Sequence, residues 1–502
     1  MTEIMTEAKL KLDIPPEVAS VVETLQENGY LAYLVGGGVR DRLIGRNPRD
    51  WDVTTKATPE QIMPLFPKTV YENRFGTVTV INEETTDETR RQIEITPFRT
   101  EAGYRDRRHP DEVKFSDRLE DDLARRDFTI NALAYNPRQS ELIDLYGGIR
   151  DIKDKTIRTV GNPVKRFQED ALRMLRAIRL AVELGFTCNQ EVLAGISDNN
   201  ALIKEIAIER VRDELIKIID SPQPMLGFEL CHQVGLLKHL IPEIEKGIGM
   251  EQKGEHIYDV WEHTLRALQH AADKNYPLHV KLAALFHDIG KIKTRRPAPA
   301  NKTSAGKTYT FYGHEVVSER QTVEILSRLK FPAKTVELVQ KLVRQHMFFA
   351  DPEKITLSAV RRIIVNVGPE HIWDLMNLRI CDRIGMGRPK EEPYRLRKYE
   401  SMIEEALRAP TAVTMLKIDG QKIMSVTHET PGPKVGFILN ALLEEALLDP
   451  DLNQEDYLET RAIALAKLDE KELKTLADKG KDKQKEVERG ELKKIRDKYR
   501  VK

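Results

Sequence analysis

A glycine triplet followed by two aspartates constrains this chain more than any other feature. The triplet Gly36–Gly38 lies between an apolar segment, Leu31–Val35, and a helix-like run, Val39–Leu43. Glycines let a backbone approach a ligand closely, and the free N–H groups at a helix start attract phosphate. Asp50 and Asp52 lie two residues apart, so on a strand both carboxylates point to one face. The sequence predicts a phosphate-binding turn beside this carboxylate pair.

The aspartate pair is predicted to bind divalent metal. Two like-charged groups a few ångströms apart repel each other, and Mg²⁺ with its preference for oxygen ligands relieves that repulsion. Each half of the motif has an ordinary alternative. The triplet alone fits a tight turn, and the aspartates alone fit a polar turn after Arg46–Arg49. Together the two halves favour a site for a metal-bound triphosphate.

Length and composition narrow the class of protein. A chain of 502 residues is expected to form several domains. Lys+Arg and Asp+Glu both count 80, so any contact with nucleic acid depends on local basic clusters. We expect neither a membrane span nor a secretory signal, because no apolar run reaches roughly 18 residues. The three cysteines, Cys188, Cys231 and Cys381, fit a reducing cytoplasm.

The pattern along the chain predicts an α+β protein with a small mixed-sheet head and helical domains after it. Strand-like and helix-like segments mix up to about residue 150, and helical patterns dominate after Pro163. The predicted domains are a head at 1–150, a neck at 151–222, a third domain at 223–392 and a tail at 393–468. The charged extension 469–502 is predicted to be a solvated helix, with disorder as the alternative.

The first motif resembles motif A of the class II tRNA nucleotidyltransferases and bacterial poly(A) polymerases. The match runs from Leu34 to Thr55. The resemblance implies that Gly37 and Arg40 bind the phosphates of an incoming nucleotide, and that Asp50 and Asp52 bind catalytic Mg²⁺.

Three neighbouring features extend that resemblance. Gly38 stands where the family commonly has alanine, and we expect no cost from the difference. Glu94 is a candidate third carboxylate, with a solvent-facing strand glutamate as the alternative. The run Arg125–Leu133 resembles the second motif of the family, which places Arg126 on the nucleotide. Adjacent arginines offer fork-shaped donors that suit phosphate or ribose oxygens.

The third motif bears on which base is chosen. On a helix, Asp170 and Arg173 are neighbours, an acceptor beside a donor. This arrangement complements the exocyclic amine and ring nitrogen of cytosine and adenine, whereas uracil and guanine leave groups unpaired at about 1–3 kcal/mol each. The resemblance places Arg173, Arg176 and Arg179 on the nucleotide, with a solvated basic helix face as the alternative. The segment Glu209–Leu215 resembles the last family motif and is expected to support the neck.

Two further segments point to the RNA. The polar segment Arg99–Ser116 resembles the flexible loop of family members that add all of CCA. The segment Pro431–Leu443 resembles the tail that grips tRNA, with Lys434 near a helix start. A simple packing hairpin is the alternative for the tail.

A second metal site is predicted in the third domain. The pair His287-Asp288 in an apolar run resembles the HD-domain metal phosphohydrolases, and this implies a divalent metal such as Mn²⁺, Ni²⁺, Mg²⁺ or Fe. A degenerate HD domain that serves only as a scaffold is the alternative. The implied ligands are His263, His287, Asp288 and Asp382, with His314 and His346 at the extra positions of the two-metal version.

The family resemblance implies a cytoplasmic, Mg²⁺-dependent enzyme. Its expected reaction adds CCA to the 3′ end of tRNA from CTP, CTP and ATP with release of pyrophosphate, and the HD domain adds a possible phosphohydrolase activity. The alternatives are a CC-adding or A-adding tRNA enzyme, a poly(A) polymerase, or mainly an HD phosphohydrolase with an RNA-binding module. The sequence indicates no particular oligomeric state.

Overall fold

The computed structural model describes residues 6–7, 10–72, 76–102, 112–252, 257–297, 309–348, 355–408 and 416–501. The chain divides into two compact units. The first comprises Met1–Arg344 and Asn377–Arg388, and the second comprises Gln345–Met376 and Pro389–Lys502. Half of the predicted loop Arg99–Ser116, residues 103–111, lies outside the described residues, so its role stays a prediction.

A mixed eight-stranded sheet forms the centre of the head. Its strand order is β1-β10-β9-β2-β3-β6-β5-β4, where β1 is Thr6–Glu7, β2 Ala32–Val35, β3 Trp51–Thr55, β4 Thr69–Glu72, β5 Thr77–Ile81, β6 Gln92–Pro97, β9 Leu133–Asn136 and β10 Glu141–Asp144. The β3–β6 pair is parallel, and the other neighbouring pairs are antiparallel. Three two-stranded pairs complete the strands: β7 Arg99–Ala102 with β8 Glu112–Phe115, β11 Thr156–Ile157 with β12 Thr187–Cys188, and β13 Arg296–Pro297 with β14 Tyr309–Thr310.

Helices make up most of the remaining structure. The head and neck contain α1 Pro16–Glu27, α2 Gly36–Leu43, α3 Pro59–Ile62, α4 Glu88–Arg91, α5 Leu119–Ala124, α6 Gly148–Lys153, α7 Pro163–Glu169, α8 Leu172–Leu184, α9 Gln190–Asn199 and α10 Ile208–Ile219. The following helices are α11 Pro224–Gln233, α12 Leu237–Leu240, α13 Pro242–Glu245, α14 Val260–Asp273, α15 Leu278–Phe286, α16 Lys291–Thr294, α17 His314–Arg328, α18 Ala333–Gln345, α19 Leu357–Val367 and α20 Ile372–Gly385. The last helices are α21 Tyr394–Leu407, α22 Gly420–Thr427, α23 Pro433–Leu448, α24 Glu455–Ala466 and α25 Glu470–Tyr499.

Packing of α1 against the sheet fixes where the head places its functional residues. The helix begins with prolines, whose fixed φ suits a first turn, and it buries Val18, Val22 and Leu25. These side chains join Leu34 and Val53 in one apolar cluster. With β2 and β3 held by this core, the end of β2 and the start of β3 stay together. The predicted α+β class, with a mixed-sheet head and helical domains after it, is confirmed.

The charged extension folds as the long helix α25, but it is not solvated all round. Leu473 and Ala477 are fully buried, and the helix packs along α23. The prediction of a helix was right, and the prediction of a fully solvated one was wrong. The apolar and small residues recur at helical spacing and form a buried stripe that the high charge content obscured.

Two glycines on α25 are expected to respond oppositely to alanine. A Cβ at Gly480 would lie 2.2 Å from the Asn440 carbonyl oxygen, whereas a Cβ at Gly490 meets nothing within 4 Å. We expect Gly480→Ala to lower the free energy of unfolding by about 1–3 kcal/mol through overpacking. Gly490→Ala, the matched control, should raise it by up to about 1 kcal/mol through helix propensity. Urea unfolding followed by circular dichroism checks both, and shifts of the same sign would contradict the packing.

Among the described helices, none combines the length and the apolar character that crossing a bilayer requires.

Candidate active site and metal centre

The predicted phosphate turn is formed by the junction of β2 and α2. Helix α2 begins at Gly36, whose φ of +75° is one that L side chains rarely adopt. A Cβ at Gly36 would lie 2.7 Å from Asp52 Oδ2, and a Cβ at Gly37 would lie 3.7 Å from Asp50 Oδ1. The structure therefore places both aspartates against the glycine turn, as the joint motif predicts.

Two lesser expectations concern this region. The expectation that glycine at position 38 carries no cost stays a prediction; in this chain a Cβ there would lie 2.9 Å from Trp51 Cε3, so an alanine would require the buried ring to shift. Glu94 pairs in parallel register with Asp52 on the adjacent strand and is exposed to solvent. Both alternatives for Glu94 therefore stay open: a third carboxylate near the aspartates, or a solvent-facing glutamate.

The electrostatics of Asp52 fit a bound cation. Burial raises its pKa to about 6, and the carboxylates of Asp50, Glu94 and Asp122 act in the same direction against the opposing charge of Arg126. A carboxylate in such a place carries negative charge that the protein alone does not balance. Two aspartate side chains at one edge of a cleft supply the oxygen ligands that Mg²⁺ prefers. The described residues thus offer a candidate metal site in the head.

The arginines of the head are held in place by neighbouring acids and amides. Arg40 is 9% exposed, and its Nη1 donates to Asn131 Oδ1 at 2.6 Å while its Nε donates to Asp41 Oδ1 at 2.9 Å. Arg126 Nη2 donates to Oδ2 of the buried Asp122 at 3.0 Å. These guanidinium groups are ordered before a ligand arrives, which reduces the entropy that binding costs.

The predicted pairing of Asp170 with Arg173 on one helix was wrong for the described structure. Helix α7 ends at Glu169 and α8 begins at Leu172, so Asp170 lies in the break with φ −139° and ψ 105°. Its Oδ1 accepts the N–H of Leu172 at 3.0 Å, and its Oδ2 accepts from Arg210 Nη2 at 2.9 Å. Arg173 Nη1 donates to Glu169 Oε2 at 2.6 Å. Each side chain is therefore held by another residue of the neck, and the contact of this pair with a base stays a prediction.

The break at Asp170 has a physical cause that the helical reading overlooked. An aspartate that accepts the backbone N–H two residues later satisfies one of the free donors at a helix start, which favours ending one helix and beginning another. The sequence signal for this break was Asp170 itself, an aspartate directly ahead of the apolar run of α8. The role of Arg210 was missed because it lies 40 residues away in sequence.

Arg176 and Arg179 on α8 have partners on two other elements. Arg176 Nε donates to Asp127 Oδ2 at 2.9 Å, and Arg179 Nε lies 3.0 Å from Oε2 of the buried Glu214 on α10. Burial would raise the pKa of Asp127, but the Arg176 guanidinium holds that pKa well below its usual range. Through Glu214 and Arg210, α10 supports α8, the structural role that its motif suggested.

One cleft of about 650 Å³ joins much of the candidate site, a size typical of small-ligand pockets. Arg126, Asp170 and Arg173 are not among its lining residues. Of the predicted residues, it is lined by Gly37, Arg40, Asp50, Asp52, Arg176 and Arg179. Sequence reasoning missed the cleft residues contributed by separate elements: Arg46, Arg49, Glu183, Lys217 and Asp220.

The predicted HD ligands of the first unit converge at one buried point. His263 Nε2 lies 3.0 Å from His287 Nε2, 2.9 Å from Asp288 Oδ2 and 3.5 Å from Asp382 Oδ1. One ligand atom from each of the four residues lies within 4.8 Å of the others. A mixed set of imidazole and carboxylate ligands suits divalent transition metals. The described residues thus contain a second candidate metal centre.

Hydrogen bonds at the HD centre leave ring nitrogens directed at it. His287 Nδ1 donates to the Ala284 carbonyl at 2.8 Å, which leaves Nε2 to face the cluster. His314 uses Nδ1 in the same way, and its Nε2 lies 3.2 Å from Asp288 Oδ1. His346 is buried in the second unit, and its role as a ligand stays a prediction.

Comparison with known protein families covers the head, neck and HD regions. Residues 32–158 match the Poly A polymerase head domain, and residues 256–383 match the HD domain. Residues 185–248 match a family described as the probable RNA and SrmB-binding site of polymerase A. These matches lie in the order that the sequence motifs predict.

Individual relatives are CCA-adding enzymes. The chain is similar to the CCA-adding enzyme of Lactobacillus helveticus (strain DPC 4571), with 44% identity over 226 residues that cover 44% of this chain and 55% of the relative. It is also similar to the CCA-adding enzyme of Geobacillus sp. (strain WCH70), with 42% identity over 221 residues that cover 44% of this chain and 53% of the relative. The aligned part of the chain spans about half the length of these curated relatives.

A solved structure resembles a larger part of the chain. The structure of the Bacillus stearothermophilus CCA-adding enzyme in complex with CTP has a TM-score of 0.56 and 26% sequence identity, and the match covers 90% of this chain and 98% of that one. The motifs, the mixed-sheet head, the order of the matched domains and this likeness agree with one another. Three regions of the chain therefore match family models of a Poly A polymerase head domain, an RNA-binding region and an HD domain, and the chain is similar in sequence and fold to CCA-adding enzymes.

Proposed function

We propose that this protein adds CCA to the 3′ end of tRNA without a nucleic-acid template. In each step the RNA 3′-oxygen forms a bond to the α-phosphorus of CTP or ATP. The bond between that phosphorus and the α–β bridging oxygen breaks, pyrophosphate leaves, and the hydroxyl proton passes to solvent. Two additions of C precede one addition of A.

The observation that carries this proposal is the cleft whose lining includes Gly37 of the glycine turn, Asp50, Asp52, Arg176 and Arg179. A triphosphate needs donors for its phosphates, and the RNA hydroxyl needs a charged centre beside it; both are present in one space. The curated relatives are CCA-adding enzymes, and the 26% identical neighbour was solved in complex with CTP. Both facts support this reaction for the present chain.

Specific residues have separate tasks in this proposal. Gly37 and Arg40 bind the triphosphate from the cleft lining, and Arg176 and Arg179 extend that cationic surface along α8. Arg126 does not line the cleft, but its Nη1 would lie 3.4 Å from a Cβ at Gly36, so it is proposed to bind the triphosphate beside the glycine turn. Asp50 and Asp52 hold Mg²⁺ at the reacting end of the cleft. When bound there, the metal lowers the pKa of the attacking hydroxyl and neutralises charge on the departing pyrophosphate.

The choice of C and A is proposed to depend on Asp170 and Arg173. The Arg173 N–H donates to the Asp170 carbonyl at 3.1 Å, so the two residues still adjoin across the break before α8. Arg210 fixes the acceptor side chain, and Glu169 fixes the donor side chain. An acceptor and a donor held in this way complement the edges of cytosine and adenine.

Arg210→Gln tests whether the anchoring of Asp170 matters. We expect the KM for CTP and for ATP to rise about tenfold and discrimination against UTP to fall, because Asp170 loses a charged hydrogen-bond partner. Arg212→Gln on the same helix is the matched control, since Arg212 contacts Asp213 and the Lys330 carbonyl. Steady-state nucleotide addition measures both variants. Equal KM values in the two variants would contradict the anchoring role.

A tRNA that ends at the discriminator base separates the possible transferase activities. It is incubated with labelled CTP alone, with ATP alone and with both nucleotides. CCA addition gives two cytidines with CTP alone and one further adenosine only when both are present. A stop after CC in the presence of ATP would identify a CC-adding enzyme, and a run of adenosines would identify a poly(A) polymerase. No addition at all would overturn the proposal.

The HD centre supports a second candidate function, a metal-dependent phosphohydrolase activity. The observation that favours it is the buried convergence of His263, His287, Asp288 and Asp382. We propose that these residues hold Mn²⁺, Ni²⁺, Mg²⁺ or Fe, and that a centre of this kind activates water against a phosphate ester. Lys291 Nζ lies 2.6 Å from Asp288 Oδ2 and keeps the buried carboxylate oriented.

A further inference from the structure

The mouth of the catalytic cleft carries cations that the proposed nucleotide site does not use. Arg46 and Arg49 lie on the loop between α2 and β3, and Lys217 lies near the end of α10. All three line the same cleft as Asp50, and Arg49 is the residue immediately before that aspartate. These side chains therefore surround the entrance through which a second substrate would reach the aspartates.

The cations at the mouth differ physically from those deeper in the cleft. The side chains of Arg40 and Arg179 are 11% and 13% exposed, and each lies in an ion pair at 3.0 Å or less. The Arg49 side chain is 79% exposed, and within the described part of the chain its ion-pair partner is Glu183 at 3.4 Å. Fixed donors suit a triphosphate that must be held in one geometry. An exposed, adaptable arginine suits a flexible phosphate chain that arrives from solvent.

The charge at the mouth favours an anionic partner. The cleft is also lined by Asp41 and by the proposed metal ligands Asp50 and Asp52, and two further carboxylates belong to Glu183 and Asp220. Asp41 pairs with Arg40 at 2.7 Å, and Asp220 accepts from the buried Lys281 Nζ at 2.9 Å. Glu183 is shared, because it lies 3.4 Å from Arg49 and 3.7 Å from Arg179. The Glu183 carbonyl also accepts from Arg46 at 2.8 Å. Little negative charge is left to neutralise Arg49, so a phosphate can replace its weak partner.

We infer that Arg49 binds a phosphodiester of the RNA strand close to its 3′-hydroxyl. Before RNA binds, the Arg49 guanidinium forms its ion pair with Glu183. This rests on the proposed function, since it assigns the second substrate of the same cleft. The RNA hydroxyl must reach Asp50 and Asp52, so the nearest backbone phosphate passes the residue next to Asp50. Arg49 is thus a positioning residue for RNA and not for the nucleotide.

Arg49→Gln in the full-length chain tests the inference by separating the two substrates. We expect the KM for tRNA lacking CCA to rise about tenfold with little change in the KM for CTP or in kcat. The slope of log binding constant against log salt should fall by roughly 0.7, the value for one phosphate contact in a single strand. Fluorescence anisotropy with labelled tRNA across a salt series measures that slope.

Arg150→Gln is the matched control. The Arg150 side chain is 83% exposed and pairs with one carboxylate, Asp154, at 3.5 Å, which closely copies the surroundings of Arg49. This variant should behave as wild type in both assays. Three results would overturn the inference while leaving the proposed function intact. They are a rise in the KM for CTP without a rise in the KM for tRNA, equal behaviour of the two variants, and an unchanged salt slope in Arg49→Gln. No nucleotide addition by wild type would overturn the proposed function and this inference with it.

Discussion

Replacement of Asp52 by asparagine is expected to reduce nucleotide addition by about a thousandfold or more. Asp52 sits against the glycine turn beside Asp50, and its carboxylate is one of the two proposed Mg²⁺ ligands. Losing it removes charge stabilisation of the attacking and leaving oxygens, a contribution of several kcal/mol in metal-dependent transfer. Single-turnover addition of labelled CTP to tRNA measures the loss. Extra Mg²⁺ should restore little of it.

A matched variant distinguishes loss of chemistry from loss of fold. Asp117 is also an aspartate of the head, but it is largely exposed, and the partner that it has among the described residues is Lys56 at 3.2 Å. Asp117→Asn should retain activity within about twofold, as expected for an exposed pair. Asp52→Asn keeps the shape of the side chain and removes a like charge beside Asp50, so its melting temperature should not fall. Substantial activity in Asp52→Asn would exclude this cleft as the catalytic site.

Replacement of Asp288 by asparagine is expected to remove the metal of the HD centre while leaving nucleotide addition in place. Asp288 contacts His263, His287 and His314 within 3.3 Å, so it is the carboxylate that the ring nitrogens share. We expect metal content after loading with Mn²⁺ or Ni²⁺ and dialysis to fall to near zero. Hydrolysis of a simple phosphomonoester should fall with it. Elemental analysis of the purified full-length chain measures the metal directly.

Two controls make this result specific. Glu262 directly precedes His263 on α14, but its half-buried side chain pairs with Arg266, so Glu262→Gln should keep its metal. His263→Gln should lose the metal as Asp288→Asn does, even if the buried Lys291 destabilises the aspartate variant. Nucleotide addition should stay within about twofold of wild type in all three, because the head holds its own carboxylates. Retained metal in both ligand variants would show that the metal is bound elsewhere, and no metal in the wild-type chain would favour an HD domain that serves only as a scaffold.

The sequence predicted the head well because its functional residues are close together along the chain. Gly36, Gly37, Asp50 and Asp52 lie within 17 residues, and short-range rules for turns and strands suffice to bring them to one place. The position of Gly38 shows the limit of that reasoning. An alanine at this position would meet the Trp51 ring, and no pattern in the motif reveals that contact.

The neck was predicted less well because its contacts join distant segments. The helical reading of the third motif placed Asp170 and Arg173 on one face, but capping of α8 by Asp170 ended the helix there. Arg210 and Glu183 acquired their roles only through folding. In the third domain, a resemblance to a known family supplied what spacing could not, since His263 and Asp382 are far apart in sequence and meet only in the fold.

The ion pair between Asp170 and Arg210 has a consequence for any redesign that tests the proposed role of Asp170 in base choice. Exchanging Asp170 for a donor, to favour uracil or guanine, would leave the Arg210 guanidinium facing a group of the wrong kind. In a library that varies only the third motif, many variants would therefore lose stability before their choice of base could be measured. Position 210 has to be diversified together with position 170, so that α10 and the segment before α8 change as a pair.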